Sequence, residues 1–142
     1  MALVESFEEM FSWKKARILN KIIYQESNKS KFQKDYALKD QIRRSSISIM
    51  SNIAEGFERK SNKEFKYFMN VAKGSAGEVR SQLYIANDLG YIEDLKLKGY
   101  ISLATEISRL ISGFIESLDE LILKEQLQKE KSNQEKPTFK VS

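Results

Sequence analysis

The chain of 142 residues contains no cysteine and no histidine. The first absence excludes disulfides and thiol catalysis. The two together exclude zinc sites of the usual Cys/His kind and a Ser-His-Asp triad. Proline occurs once and glycine six times, too few breakers for an all-β fold with many turns. No apolar run approaches the roughly 18 residues that span a bilayer, so no membrane partner is expected. The first residues, Met1-Ala2-Leu3-Val4-Glu5, lack the basic start and apolar core of a signal peptide, and the expected compartment is the cytoplasm. A GxxxxGK[ST] phosphate loop, an EF-hand pattern and the aromatic RNA-recognition motif are all missing, and Gly74-Ser75-Ala76-Gly77 follows no strand. No metal site, no cofactor and no enzymatic activity are expected.

What is present is helical. Charged residues make up 31% and hydrophobic residues 41% of the chain, and the apolar positions recur at helical spacing over four segments. The first runs roughly from Ser6 to Glu26, followed by a polar loop from Ser27 to Lys34. The second runs from Asp35, a predicted N-cap, to Glu58. The third opens with the capping box Ser61-Asn62-Lys63-Glu64 and ends at Gly90. In its middle, Gly74 and Gly77 each cost about 1 kcal/mol relative to alanine, which predicts close approach by another helix. The fourth runs from Glu93 to Gln126. Short connections favour antiparallel neighbours. The expected fold is all-α, an antiparallel up-down four-helix bundle over residues 1–126, with a frayed or disordered charged tail over 127–142.

The second helix carries two apolar stripes. One holds Leu38, Ile42, Ile49 and Ile53, with the small Ser45 and Ser46 between them. The other holds Tyr36, Ile47, Met50, Ala54 and Phe57, turned roughly 120° away at 100° per residue. The first suits the monomer core. The second is a candidate subunit interface.

The net charge is +4 and unevenly placed. Between residues 29 and 44, Lys29, Lys31, Lys34, Lys39, Arg43 and Arg44 face only Asp35 and Asp40, whereas residues 91–123 are net acidic. Lys39, Arg43 and Arg44, with Arg59, Lys60 and Lys63 at the next turn, are candidate phosphate contacts, because guanidinium forks match phosphate oxygens. The competing reading is structural: Arg44 paired with Asp40 at i,i+4, Arg43 with a carboxylate of another helix, and a solvated basic turn. Asn52 and Glu55 fit polar contacts near the helix end, and Gly56 fits a close approach or an early helix end.

Taken together, Gln41-Ile42-Arg43-Arg44, Ser48-Ile49, Asn52-Ile53-Ala54-Glu55-Gly56 and Arg59 resemble a signature of the bacterial four-helix-bundle family encoded in intervening sequences of 23S ribosomal RNA genes. Glu64-Phe65, Phe68, Ala72, Gly74-Ser75, Glu78, Gln82-Leu83, Ala86 and Leu89-Gly90 continue it, and Trp13, Ala16 and Ile23-Tyr24 match its first helix. The resemblance covers roughly residues 7 to 122. Ser45-Ser46 stand where alanines are more usual, and Phe32-Gln33 stands where the family has Phe-Pro. The resemblance implies a homopentameric barrel, similar to the accessory variability determinant of diversity-generating retroelements, which binds nucleic acid and a reverse transcriptase. The function expected is therefore a non-enzymatic oligomeric protein that binds RNA or DNA. The alternative is a protein-interaction scaffold whose basic residues meet an acidic partner or a neighbouring subunit.

Overall fold

The computed structural model of the chain describes residues 3–135. A single 3-10 turn, Phe7–Glu9, precedes five helices: α1 (Phe11–Ser27), α2 (Ser30–Lys34), α3 (Tyr36–Glu58), α4 (Asn62–Asp88) and α5 (Asp94–Glu135). The four long helices form the bundle, in which α3 packs on α1 and α4, and α5 closes the ring by packing on α4 and α1. Neighbours run antiparallel. Ser46 bonds Asn20 while Arg43 bonds Ser27, and Ser45 bonds Glu78 while Ser48 bonds Ser75.

The first helix begins later than its apolar spacing predicts. Met10 is extended and buried, and it separates the 3-10 turn from α1. The break folds Phe7 back onto Trp13, with ring centroids 5.2 Å apart, and onto Phe57 at 6.3 Å. The expected loop from Ser27 to Lys34 also contains α2. Its Phe32 is buried and stacks on Tyr91 at 5.1 Å, so an apolar side chain holds the connection against the start of α5.

The predicted caps form. Asp35 Oδ1 accepts from the Leu38 amide at 3.1 Å, and Ser61 Oγ accepts from the Glu64 amide at 3.2 Å. After α4, Gly90 takes φ +77°, the Tyr91 amide bonds the Ala86 carbonyl and the Gly90 amide bonds the Asn87 carbonyl. That is a Schellman ending, which glycine adopts without penalty.

Leu38, Ile42, Ile49 and Ile53 are all buried, as are Ser45 and Ser46 between them. The α4 core face contributes Phe65, Met69, Ala72, Ala76, Val79 and Leu83, and α5 adds Ala104, Ile107, Ile111 and Leu118. Two glycine expectations part company. A Cβ on Gly56 would lie 2.9 Å from Phe65 Cδ1, 3.1 Å from Phe68 Cβ and 3.2 Å from the Phe65 carbonyl oxygen, so the α3–α4 turn needs glycine there. At Gly74 and Gly77 a Cβ would meet nothing within 4 Å. No helix of the same chain approaches them, and α4 runs unbroken through both.

The expected tail also differs. Helix α5 continues to Glu135, so residues 127–135 are helical, and residues 136–142 lie outside the described residues. The bond from Asn62 Nδ2 to Glu125 Oε1, 2.6 Å, ties α5 to the α3–α4 turn. From Leu123 onward every described residue is exposed.

The contrast between the glycines makes a direct test. Gly56→Ala should lower stability by about 1–3 kcal/mol, because crowding outweighs the gain in helix propensity. Gly113→Ala, in open space on α5, should raise it by up to about 1 kcal/mol. Urea denaturation of both variants decides the sign.

Candidate nucleic-acid interface

Along α1, Trp13, Arg17, Asn20, Tyr24 and Ser27 fall on one helical stripe. Its lower half faces α3: Asn20 Oδ1 accepts from Ser46 Oγ at 3.0 Å, and Ser27 Oγ accepts from Arg43 Nε at 2.8 Å. The Arg43 guanidinium also stacks over the Tyr24 ring at 4.4 Å, and Arg17 lies over Trp13 at 5.7 Å. On α3, Lys39 sits over Tyr36 at 4.9 Å. The outer edge of the α1–α3 pair thus carries three cation–aromatic pairs in a row. Beside them, Glu8, Trp13, Lys14, Arg17, Ile18 and Lys21 line an open groove of about 520 Å³, three cations against one carboxylate.

The six basic candidates divide. Lys39 and Arg43 belong to this face. Arg44 is exposed on another side of α3, and among the described residues it forms no ion pair with Asp40. Arg43 finds a hydroxyl and a ring where the sequence suggested a carboxylate partner. Arg59, Lys60 and Lys63 lie one helix length away, about 24 Å along α3 from Arg43 at 1.5 Å per residue. There Arg59 is engaged: Glu55 holds it at 2.8 Å, Glu64 lies at 4.0 Å, and Phe68 stacks beneath it at 4.7 Å. Arg59 thus has carboxylate partners within the chain, while Lys60 and Lys63 stay exposed. Asn52 donates to the Ser48 carbonyl and hydroxyl, and Glu55 pairs with Arg59, the polar contacts expected near the helix end.

The second apolar stripe of α3 is also divided. Met50 and Phe57 pack against the chain's own core, Phe57 edge-on to Phe65 at 6.3 Å. Ala54 is half-buried, whereas Tyr36 is 68% and Ile47 42% exposed. Among the described residues no cluster of acidic groups is arranged to hold a metal ion, and no helix is long and apolar enough to cross a membrane.

One polar cluster escapes the sequence reading altogether. Glu26, in the last turn of α1, is 5% exposed. Its Oε1 accepts from Tyr100 Oη at 2.7 Å, Lys29 Nζ at 3.2 Å and Lys96 Nζ at 3.4 Å. Burial alone would raise the Glu26 pKa; the bonds from Tyr100 and Lys29 and the charges of Lys29 and Lys96 outweigh it and leave the net shift downward. Burial and the same carboxylate push the Tyr100 phenol up. Arg17, Tyr24 and Lys21 were likewise missed. Their signal is the i, i+4, i+11 spacing of Trp13, Arg17 and Tyr24, which gains its partner Arg43 only when α3 stands beside α1.

A family model described as the 23S rRNA-intervening sequence protein matches residues 8–113. The chain belongs to this family. The matched span begins in the 3-10 turn and ends within α5, so the 23S rRNA-intervening sequence protein unit is the bundle itself. None of the curated proteins matches the chain. Among solved structures, it is similar to a protein of unknown function from the S23 ribosomal protein family of Bacteroides thetaiotaomicron. Identity is 25%, the match covers 74% of this chain and 95% of that one, and the TM-score is 0.69.

The sign of the Glu26 effect follows from its lowered pKa. The stabilisation is present above the unfolded-state value of 4.5 and is lost as pH falls through the lower folded-state value. Glu26→Gln should therefore cost about 1–3 kcal/mol at pH 7, and progressively less as the pH falls from 4.5 through the lowered folded-state value. Denaturation curves across that pH range are the check, and an unchanged cost at both ends would exclude an ionised Glu26 as the cause.

Proposed function

We propose that this protein is a non-enzymatic binder of single-stranded or looped nucleic acid, RNA foremost, through the α1–α3 face. The observation that carries the reading is the row of cation–aromatic pairs, Arg17–Trp13, Arg43–Tyr24 and Lys39–Tyr36. Ring-backed cations suit a polyanion whose bases are unstacked: guanidinium and ammonium groups take phosphates, and a base stacks on the outer plane of a guanidinium held flat on its ring. Lys14 and Lys21 extend the positive edge. Backbone contacts of this type position a strand without reading its sequence. Affinity is then salt-dependent and sequence-tolerant.

A specific observation favours self-association beside this activity. On α4, Tyr67, Val71, Ile85 and Leu89 are exposed along one helical stripe, and Gly74 sits among them with nothing near it. A bare glycine in an apolar stripe suits close approach by a neighbouring copy. The homopentamer implied by the family resemblance would present five α1–α3 faces, and linked weak sites gain affinity through effective concentration.

Fluorescence anisotropy with a labelled single-stranded RNA tests the main reading. Binding should weaken steeply with salt. The double variant Lys14→Gln/Lys21→Gln should flatten the salt slope by about two, while Arg17→Ala and Arg43→Ala should each cost about 1–3 kcal/mol of affinity. If no RNA or DNA binds at low salt, the reading falls, and an acidic protein becomes the better partner for the same face.

A further inference from the structure

The groove beside the cation–aromatic row has a layout that phosphate contacts alone do not explain. Glu8, in the 3-10 turn, lines it together with Trp13, Lys14, Arg17, Ile18 and Lys21. Phe7, packed edge-on against Trp13 at 5.2 Å, sets that turn beside the start of α1. The cations recede from it down one edge of the helix, and Lys14 to Lys21 spans about 10 Å at 1.5 Å per residue. Trp13 and Ile18, the latter 51% exposed, supply the apolar part of the wall.

Glu8 is exposed, and among the described residues it forms no ion pair. Three cations line the same groove, yet none closes on it. An unpaired carboxylate repels phosphate. On this edge it therefore suits a ligand group that is uncharged and rich in N–H donors. The cations are likewise free of carboxylate partners among the described residues. Lys14 leans over the exposed Phe11 ring at 5.5 Å, and Arg17 lies over Trp13 at 5.7 Å. Arg17 is itself exposed, so its guanidinium can take a base on the side away from the ring. A ligand that matches all three parts of the groove joins a flat ring, a neutral N–H edge and a phosphate. A nucleotide has that construction.

On the nucleic-acid reading of the α1–α3 face, we propose that this groove takes one unpaired guanine of the bound strand, with Glu8 as the residue that selects it. The base lies on Ile18 and the Arg17 guanidinium, and its flanking phosphates meet Lys14 and Lys21. Its N1–H and N2–H donate side by side to the two carboxylate oxygens of Glu8, a paired geometry that adds strength and specificity. The other bases lack that edge. Adenine and cytosine offer one amine beside a ring-nitrogen acceptor, and uracil offers one N–H between two carbonyls. Each of these sets a lone pair against the carboxylate. Phosphate contacts along the rest of the edge carry no base information. The preference is therefore confined to one nucleotide, and the rest of the strand is accepted whatever its sequence.

Fluorescence anisotropy of the full chain at low salt tests the assignment. The probes are a labelled uridine oligonucleotide and the same strand carrying one central guanosine, adenosine, cytidine or inosine. The guanosine strand should bind about tenfold tighter than the all-uridine strand. Inosine, which lacks the N2 amine, should lose most of that gain. Glu8→Gln should bring the guanosine-to-uridine ratio to within about twofold. Glu8 is exposed, so this variant should keep the fold, which circular dichroism verifies. Guanosine monophosphate alone should bind far more weakly than the strand. Equal binding of all strands, or a guanosine preference that survives Glu8→Gln, would overturn the guanine assignment and leave the nucleic-acid reading standing. Guanosine monophosphate binding as tightly as the strand would overturn it in favour of a free-nucleotide site. Failure of every strand to bind would overturn both readings.

Discussion

A single buried carboxylate fixes the end of the bundle on which the basic face depends. Glu26 sits in the last turn of α1, where the helix dipole disfavours an anion and burial adds a desolvation cost of several kcal/mol. The charge is tolerated because one oxygen collects Tyr100, Lys29 and Lys96, drawn from α5 and from the α1–α2 connection. These donors arrive only when α5 lies against α1 in one register. The next residue, Ser27, is fully buried and receives Arg43 from α3. Two consecutive side chains therefore couple α1 to both of its neighbours. Asp35 extends the same corner by capping α3 with one oxygen and accepting from Tyr91 with the other.

The second constraint is the α3–α4 seam. Small serines line it from both helices. Ser45 donates to Glu78 and to its own helix, and Ser48 meets Ser75 at 2.8 Å. Small side chains let the helices approach, and their hydroxyls need partners at defined heights, which fixes the register more sharply than leucines would. At the top of the seam Gly56 accepts the Phe65 ring within van der Waals contact. Helix α3 is thus held on both flanks, and its third, outward edge can hold Arg43 flat on Tyr24. A guanidinium stacked on a ring and hydrogen-bonded through Nε is already oriented, so less rotamer entropy is lost when a phosphate meets its remaining donors.

Local chemistry explains what the sequence made legible. Caps at Asp35 and Ser61, the glycine stop at Gly90 and the core stripe of α3 rest on interactions within a few residues, and each appears in the structure. The family signature was legible too, because its Arg, Asn and Gly positions are spaced by the same helix. The misses share one cause: they depend on which helix stands opposite. Met10 breaks the first helix because Phe7 must return to Trp13 and Phe57. Arg17 and Tyr24 share a stripe with Trp13, but only α3 beside α1 brings Arg43 onto the Tyr24 ring. Glu26 occupies a core-facing position whose partners come from Lys96 and Tyr100, some seventy residues away. Gly74 points the other way, since its spacing asks for a neighbour that the chain does not supply to itself.

The charge distribution gives the fold a direction. The exposed edge of α1 and α3 carries Lys14, Arg17, Lys21, Lys39 and Arg43, whereas the segment before α1, with Glu5, Glu8 and Glu9, and α5, which packs against α1 and α4, are net acidic. Where α5 touches the others, its carboxylates are used: Glu106 pairs with Lys15, Asp119 with Lys66, and Glu125 accepts from Asn62. Exposed pairs of this kind are worth little each, but they absorb the cations that point toward α5 and leave those on the α1–α3 edge with Glu8 as the one carboxylate beside them in the groove. At the α3–α4 turn, Glu55 and Glu64 do the same to Arg59. A polyanion approaching the molecule is repelled on the α5 side and attracted along one edge, over a range of about 8–10 Å at ordinary salt. The same asymmetry lets the acidic helix of one copy meet the basic edge of another. Self-association through that edge would compete with nucleic acid, whereas association through the bare glycine stripe of α4 would leave it open, and only the second arrangement is compatible with an oligomer that binds RNA on every subunit.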